Sequence, residues 1–286
     1  MTDDLALIHS PAGPAGSGRV RYGAAMALFR AGLITEAQLE VYRITAAHDG
    51  RDPVQALADQ GLPPPPRPAP APDAAAALTA LADEAARYLT ALAHPGAAEV
   101  QAGLSRRSGP PALVAPAGNA VVDQWLDPAL TALGATHPGL AAAIAGAAPH
   151  LPWVTYDAYP RALIGDAFAT GHAFASLIGA GAPWEAADFD LGLFLIAPDV
   201  LYRDHAHAAP ELYAPLTGPH GWRFGPGRPL VLKPAHQPVW NDPFRPHLTK
   251  VGPLPFLAFF VWTRDVNAPA EVIAADDWPE LEALRL

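Results

Sequence analysis

The chain contains no cysteine, which excludes disulfides, thiolate metal sites and a cysteine nucleophile. It has two lysines, Lys233 and Lys250, and a formal net charge of -10. No basic patch is present to neutralise phosphates, so nucleic acid is not an expected partner. A polybasic membrane contact is equally unsupported. No run approaches the roughly eighteen apolar residues of a membrane span. The start, Met1-Thr-Asp-Asp-Leu, carries no positive segment ahead of an apolar one. These absences lead us to expect a cytoplasmic protein that acts on a small molecule.

What is there is a chain of 286 residues, 51% of them hydrophobic, with alanine making up much of that share. Residues 10 to 19 are rich in Gly, Pro and Ser and read as a flexible lead-in. Their glycines lack the Lys-Ser/Thr of a phosphate loop. A helix is expected from Tyr22 to Gly32. Thr35 and Gln38 form a capping box for a second, reaching about His48. Asp52-Pro53 starts a third, closed by Gly61. We read 1–62 as a helical N-terminal extension and the prolines of 63–72 as a stiff polyproline II linker. A flanking helical region, 73–152, follows. Its first helix, Asp73 to Leu92, shows apolar residues at three- and four-residue steps. Further helices are expected between breaks at Gly109-Pro110, Asp127-Pro128 and His137-Pro138. His94, His137 and His150 neighbour prolines or helix ends and read as caps or loops.

From Trp153 the pattern changes to short strands between turns. Expected strands are Trp153–Tyr156, Gly171–Ile178, Asp190–Ala197, Val200–His207, Glu211–Leu216, Gly221–Phe224, Pro229–Lys233 and Pro255–Thr263. Asp276 to Leu286 reads as a closing helix. Eight short strands suggest a jelly-roll barrel. His172 sits on an early strand, as a satisfied core or surface histidine. His220 is expected in the turn after Gly218-Pro219.

Within this region lies Tyr202-Arg-Asp-His205-Ala-His207-Ala-Ala-Pro-Glu211-Leu-Tyr213. Imidazole and carboxylate are ligands for zinc, iron, manganese or nickel. In a strand His205 and His207 point to one face, and Glu211 and Tyr213 share their parity. A straight strand from His205 to Tyr213 would span roughly 26 Å, so Ala208-Ala209-Pro210 must turn. Gly218 then ends the second strand, where a positive φ costs little.

This spacing resembles the first motif of the cupin superfamily. The glycine that the motif places six residues before the first histidine is Asp199 here, a residue that also tolerates tight turns. The resemblance implies one further histidine, from His220, His236 or His247. We choose His247, because an apolar strand, Pro255–Trp262, follows it. The fold class expected is therefore mainly β: a C-terminal cupin barrel, 153–286, preceded by a helical N-terminal region.

Ala197-Pro-Asp-Val-Leu-Tyr202, His205, His207, Glu211-Leu-Tyr213, His247 and Trp262 are together similar to the cupin-type dimethylsulfoniopropionate (DMSP) lyases. The resemblance implies a divalent metal at His205, His207, Glu211 and His247, with Tyr213 as general base. It places Tyr202 and Trp262 in an aromatic pocket, Tyr202 also near the chemistry. It implies cleavage of a sulfonium carboxylate to dimethyl sulfide and acrylate by β-elimination, in a protein that pairs as a homodimer. Other readings are a metal-dependent cupin oxygenase or isomerase, and a non-enzymatic cupin that binds a small ligand.

Overall fold

The computed structural model describes residues 2–10, 12–66 and 73–286. They fall into two compact units, Met1–Ala71 and Pro72–Leu286. No described helix is long and apolar enough to cross a membrane.

The first unit holds α1 (Thr2–Leu7), α2 (Ser17–Arg30), α3 (Glu36–Thr45) and α4 (Pro53–Asp59). Its core is Ile8, Leu28, Val41, Tyr42 and Leu57. The expected capping box is formed by Thr35 and Gln38, and Asp52 caps α4 through the Val54 N–H. The lead-in expected over 10–19 is partly helix. The Asp49 carboxylate accepts the Gly16 and Gly18 N–H groups at 2.8 Å and so starts α2 at Ser17. A remote residue supplies that cap, so local sequence cannot show it. Of the proline run, residues 67–72 lie outside the described residues. The Pro63 carbonyl accepts from Gln38 Nε2 at 3.0 Å.

The second unit opens with α5 (Ala74–Ala91), α6 (Ala97–Leu104), α7 (Ala120–Gly134) and α8 (Pro138–Ala147), followed by the short α9 (Arg161–Ile164) and α10 (Asp166–Thr170). Pro128 does not break its helix as expected but lies inside α7. The apolar stripe Leu126, Ala129 and Leu133 is buried on both sides of the proline, so packing outweighs the lost backbone bond.

The strands are β1 (His172–Gly179), β2 (Trp184–Glu185), β3 (Asp190–Ile196), β4 (Leu201–Ala206), β5 (Glu211–Pro215), β6 (His220–Arg223), β7 (Val231–Lys233), β8 (Val239–Asn241), β9 (His247–Lys250), β10 (Phe256–Trp262) and β11 (Glu271–Val272), and α11 (Trp278–Ala283) closes the chain. They form two sheets, ordered β2-β1-β3-β10-β5-β8 and β11-β4-β9-β6-β7. All named pairings but β1–β2 are antiparallel. This is the cupin architecture.

Alternation along β3 explains the layering. Leu191, Leu193 and Leu195 join a core with Leu78, Leu81, Leu133 and Ile144 of α5, α7 and α8. Phe194 and Ile196 join the barrel interior with Tyr202, Tyr213, Trp222 and Phe256. With both faces covered, the strand is apolar throughout.

Three expectations here are corrected. Trp153–Tyr156 is no strand; Val154 makes an isolated bridge to Phe174. Gly218 does not adopt a positive φ. It is required because a Cβ would stand 2.5 Å from the Ala235 nitrogen. His220 is the buried first residue of β6 rather than a turn residue.

Candidate metal centre

Three strands from the two sheets assemble the site. β4 delivers Tyr202 and His205, and the chain just beyond it delivers His207. β9 delivers His247, which pairs directly with His205. β5 brings Glu211 and Tyr213 from the opposite sheet. Residues 207–210 turn as required, and His207 Nδ1–H donates to the Ala209 carbonyl at 2.8 Å.

The ring nitrogens of His205, His207 and His247 lie within 4.8 Å of one another, all buried. Each Nδ1 faces a backbone carbonyl: Arg203 at 2.8 Å, Ala209 at 2.8 Å and Arg245 at 2.9 Å. A carbonyl only accepts, so Nδ1 carries the proton in all three rings. Each Nε2 is then a lone pair. His205 Nε2 and His247 Nε2 are buried without a hydrogen-bond partner. Glu211 Oε2 lies 3.3 Å from His207 Nε2 and 3.2 Å from His247 Nε2, the latter not aligned for a hydrogen bond. Lone pairs and a carboxylate converging away from water require a shared cation or proton. The donor set thus fits a divalent transition metal held by three imidazoles, with Glu211 at its border.

Glu211 is fixed from its other side. Its Oε1 accepts Trp262 Nε1–H at 2.8 Å, and its Oε2 accepts Asn241 Nδ2–H at 3.2 Å. Burial opposes its charge, and positive charge at His207 and His247, from the cation or proton the rings share, is what outweighs burial and holds the carboxyl well below its usual pKa. Burial, with His247 and His207 adding to it, holds His205 well below the usual imidazole range.

Tyr202 reaches the site through a bulge. The β4–β9 register shifts between Tyr202 and His205, so residues three apart share a face. Its ring is one of four in a continuous stack, His172–Phe168–Tyr202–His205, with centroids 4.0, 3.9 and 3.9 Å apart. Its hydroxyl lies 2.9 Å from that of Tyr159. Burial and then Tyr159 raise the Tyr202 phenol well above its usual pKa. Tyr213 is also buried, and burial followed by the Glu211 charge raises its phenol likewise.

A cavity of about 210 Å³ opens beside the histidines. Tyr202, Tyr213, Glu211 and Trp262 line it, as do Tyr156, Tyr159, Phe174, Phe260 and Asp190. Most of this second set escapes sequence reasoning. Tyr156 and Tyr159 lie on an irregular segment, and an aspartate at a strand start reads as a boundary.

The remaining histidines lie elsewhere. His236, the alternative third ligand, sits at φ 65° and contacts Tyr88 and Thr136 through its two nitrogens, away from the site. His172 borders the cavity but is satisfied. Its Nδ1–H donates to the Phe168 carbonyl at 2.6 Å, and its Nε2 accepts the Tyr156 N–H at 3.0 Å.

The sequence model of the DMSP lyase (dimethylsulfoniopropionate lyase) family matches residues 98–258. No curated protein sequence matches significantly. Among solved structures, a chain described under the DMSP lyases RdDddP and RnDddQII is similar, with a TM-score of 0.54 and 21% identity, over 71% of this chain and 100% of that one. The DMSP lyase DddQ from Ruegeria pomeroyi DSS-3 gives a TM-score of 0.50 and 21% identity, over 70% of this chain and 96% of that one. At these identities the likeness of structure is one of fold.

Proposed function

This chain belongs to the DMSP lyase family, whose sequence model spans more than half of it, and from that premise we propose that it cleaves DMSP to dimethyl sulfide and acrylate. It is accordingly a carbon–sulfur lyase. The observation that carries the reading is the gathering of three buried imidazoles within 4.8 Å, two of their nitrogens without a hydrogen-bond partner, beside an aromatic cavity.

His205, His207 and His247 would hold the metal, with Glu211 as a further ligand or its close neighbour. Their nitrogen and oxygen donors suit zinc, iron, manganese or nickel. When bound, a divalent cation supplies positive charge that polarises the substrate carboxylate and opposes the burial retaining the Tyr213 proton. Tyr213, as phenolate, takes a proton from the carbon next to the carboxylate. That electron pair forms the carbon–carbon double bond. The bond from the β carbon to sulfur breaks, and its pair stays on sulfur. Dimethyl sulfide leaves neutral, acrylate remains, and the proton rests on Tyr213. Trp262 faces the sulfonium, a cation–π contact contributing about 0.5–2 kcal/mol, while Tyr202, with both ring faces covered by Phe168 and His205, lines the pocket with its edge. Trp262 also positions Glu211 through its indole N–H.

The test is headspace detection of dimethyl sulfide on mixing the chain with DMSP. Release is expected from the wild type, abolished by a chelator, and reduced roughly 10²- to 10⁴-fold in Tyr213→Phe at unchanged metal content. A Tyr213→Phe variant that keeps most of its turnover would remove the base assignment. No sulfide from metal-loaded wild type would remove the activity.

A further inference from the structure

Beyond the metal centre, one acidic residue in the cavity is unaccounted for. Asp190 opens β3, and its register across the sheet is fixed. It pairs with Trp262 of β10, and Trp262 pairs in turn with Glu211 of β5. Directly paired residues of antiparallel strands point to the same face, and all three line the cavity. Asp190 and Glu211 therefore stand on one row, two strand spacings or roughly 10 Å apart, with the Trp262 indole between them.

The surroundings of Asp190 do not suit a structural ion. Its Oδ1 is buried with no hydrogen-bond partner. No cation contributes to its ionisation: burial pushes the carboxyl up to about 6, and only a Ser176 hydrogen bond works the other way. It is thus charged at and above neutral pH. Gly179 leaves the space in which it lies, since a Cβ there would stand 2.8 Å from Oδ1. The nearby walls are Phe174, Phe260 and Trp262. A lone carboxylate set into an aromatic wall is costly unless a cation comes to it.

We propose that Asp190 is a specificity-determining residue: it supplies the countercharge for the cationic end of the substrate, whose carboxylate end is held at the histidine cluster. The inference rests on the lyase reading in that it takes a zwitterion as substrate. DMSP carries its two charges two methylenes apart, and the cavity offers a complementary site for each: the histidine cluster beside Glu211 for the carboxylate, and Asp190, across Trp262, for the sulfonium. A neutral acid of the same shape meets the aromatic wall but leaves the buried Oδ1 of Asp190 without a partner.

The test uses two unreactive acids of nearly identical shape, so it does not depend on turnover. One is 4-methylpentanoate, neutral where DMSP carries sulfur. The other is N,N-dimethyl-β-alanine, cationic there. Binding of each to the metal-loaded chain is measured by calorimetry at pH 8. Wild type is expected to bind the cationic acid about ten- to a hundredfold more tightly than the neutral one. In Asp190→Asn the ratio should fall toward one, and KM for DMSP should rise about tenfold or more while kcat changes much less. A wild type indifferent to the charge would overturn the proposal even if the variant does not fold. So would an Asp190→Asn variant that keeps the full preference. A chain that discriminates between the acids but releases no sulfide would retain this inference and reject the lyase.

Discussion

At the scale of single residues, the buried histidines divide by what each nitrogen faces. In the site all three rings donate from Nδ1 and turn Nε2 toward one another and Glu211, two of the three without a hydrogen-bond partner. His172 and His220 instead use both nitrogens. Nδ1 of His220 accepts the Gly252 N–H at 3.1 Å, so that ring too must be neutral. Burial lowers both to about 4. Unfolded, they return to about 6.5. The folded state then binds fewer protons than the unfolded one between these values. The contribution of each ring to stability is complete above about pH 6.5 and shrinks as pH falls toward 4. By pH 5 the loss is about 2 kcal/mol for each. His220→Asn keeps an acceptor for Gly252 without a titrating ring. Urea unfolding at pH 7 and pH 5 should show its pH loss smaller than that of the wild type by about 2 kcal/mol. An identical pH dependence in the two proteins would contradict the assignment.

The ligand types were legible for a related reason. His205, His207, Glu211 and Tyr213 share one parity, and that parity survives in the fold. Tyr202 does not share it and reaches the site only through a bulge. Asp190, Asn241 and Tyr159 are joined to the site by cross-strand register and loop geometry, which spacing along the chain does not encode.

At the scale of elements, long amphipathic or continuously apolar segments were readable and short ones were not. β3 and β10 are apolar runs lying where expected. β9, which carries His247, is four residues long and follows Pro243 and Pro246, so no periodicity marks it. α11 is short as well and is anchored by charge. Arg223 of β6 is buried, pairs with Asp204 of β4 and reaches Asp277 at 2.5 Å. Trp278 Nε1–H of α11 donates to the same Asp204 at 2.9 Å. Asp204 neighbours His205 in sequence but faces the other side of the strand, so this network braces β4 from behind the site. Arg223→Met strands two carboxylates and should cost about 3–5 kcal/mol. Urea unfolding reads the loss, and hydrogen exchange should show α11 opening first. A loss under about 1 kcal/mol would mean that the network carries little of the packing.

At the scale of the whole molecule, two units with separate cores share one chain, and the site lies entirely within Pro72–Leu286. Helices cover the outer face of the six-stranded sheet and make its strands apolar on both sides. The inner face is thereby free to carry aromatic rings and the few polar groups that do chemistry. We expect the helical N-terminal unit to be dispensable for cleavage on this ground. The broad plan, helices followed by a β-barrel with histidines in its mouth, was readable because composition changes near Trp153 and the ligand spacing is regular.

The most direct measurement is a metal titration of the stripped chain, with bound metal and dimethyl sulfide release determined on the same samples. The account predicts that release rises in proportion to bound metal and saturates at about one ion per chain, and that His247→Ala loses both together. Full release from chain stripped of metal, or one tightly held ion with no sulfide from DMSP, would contradict it.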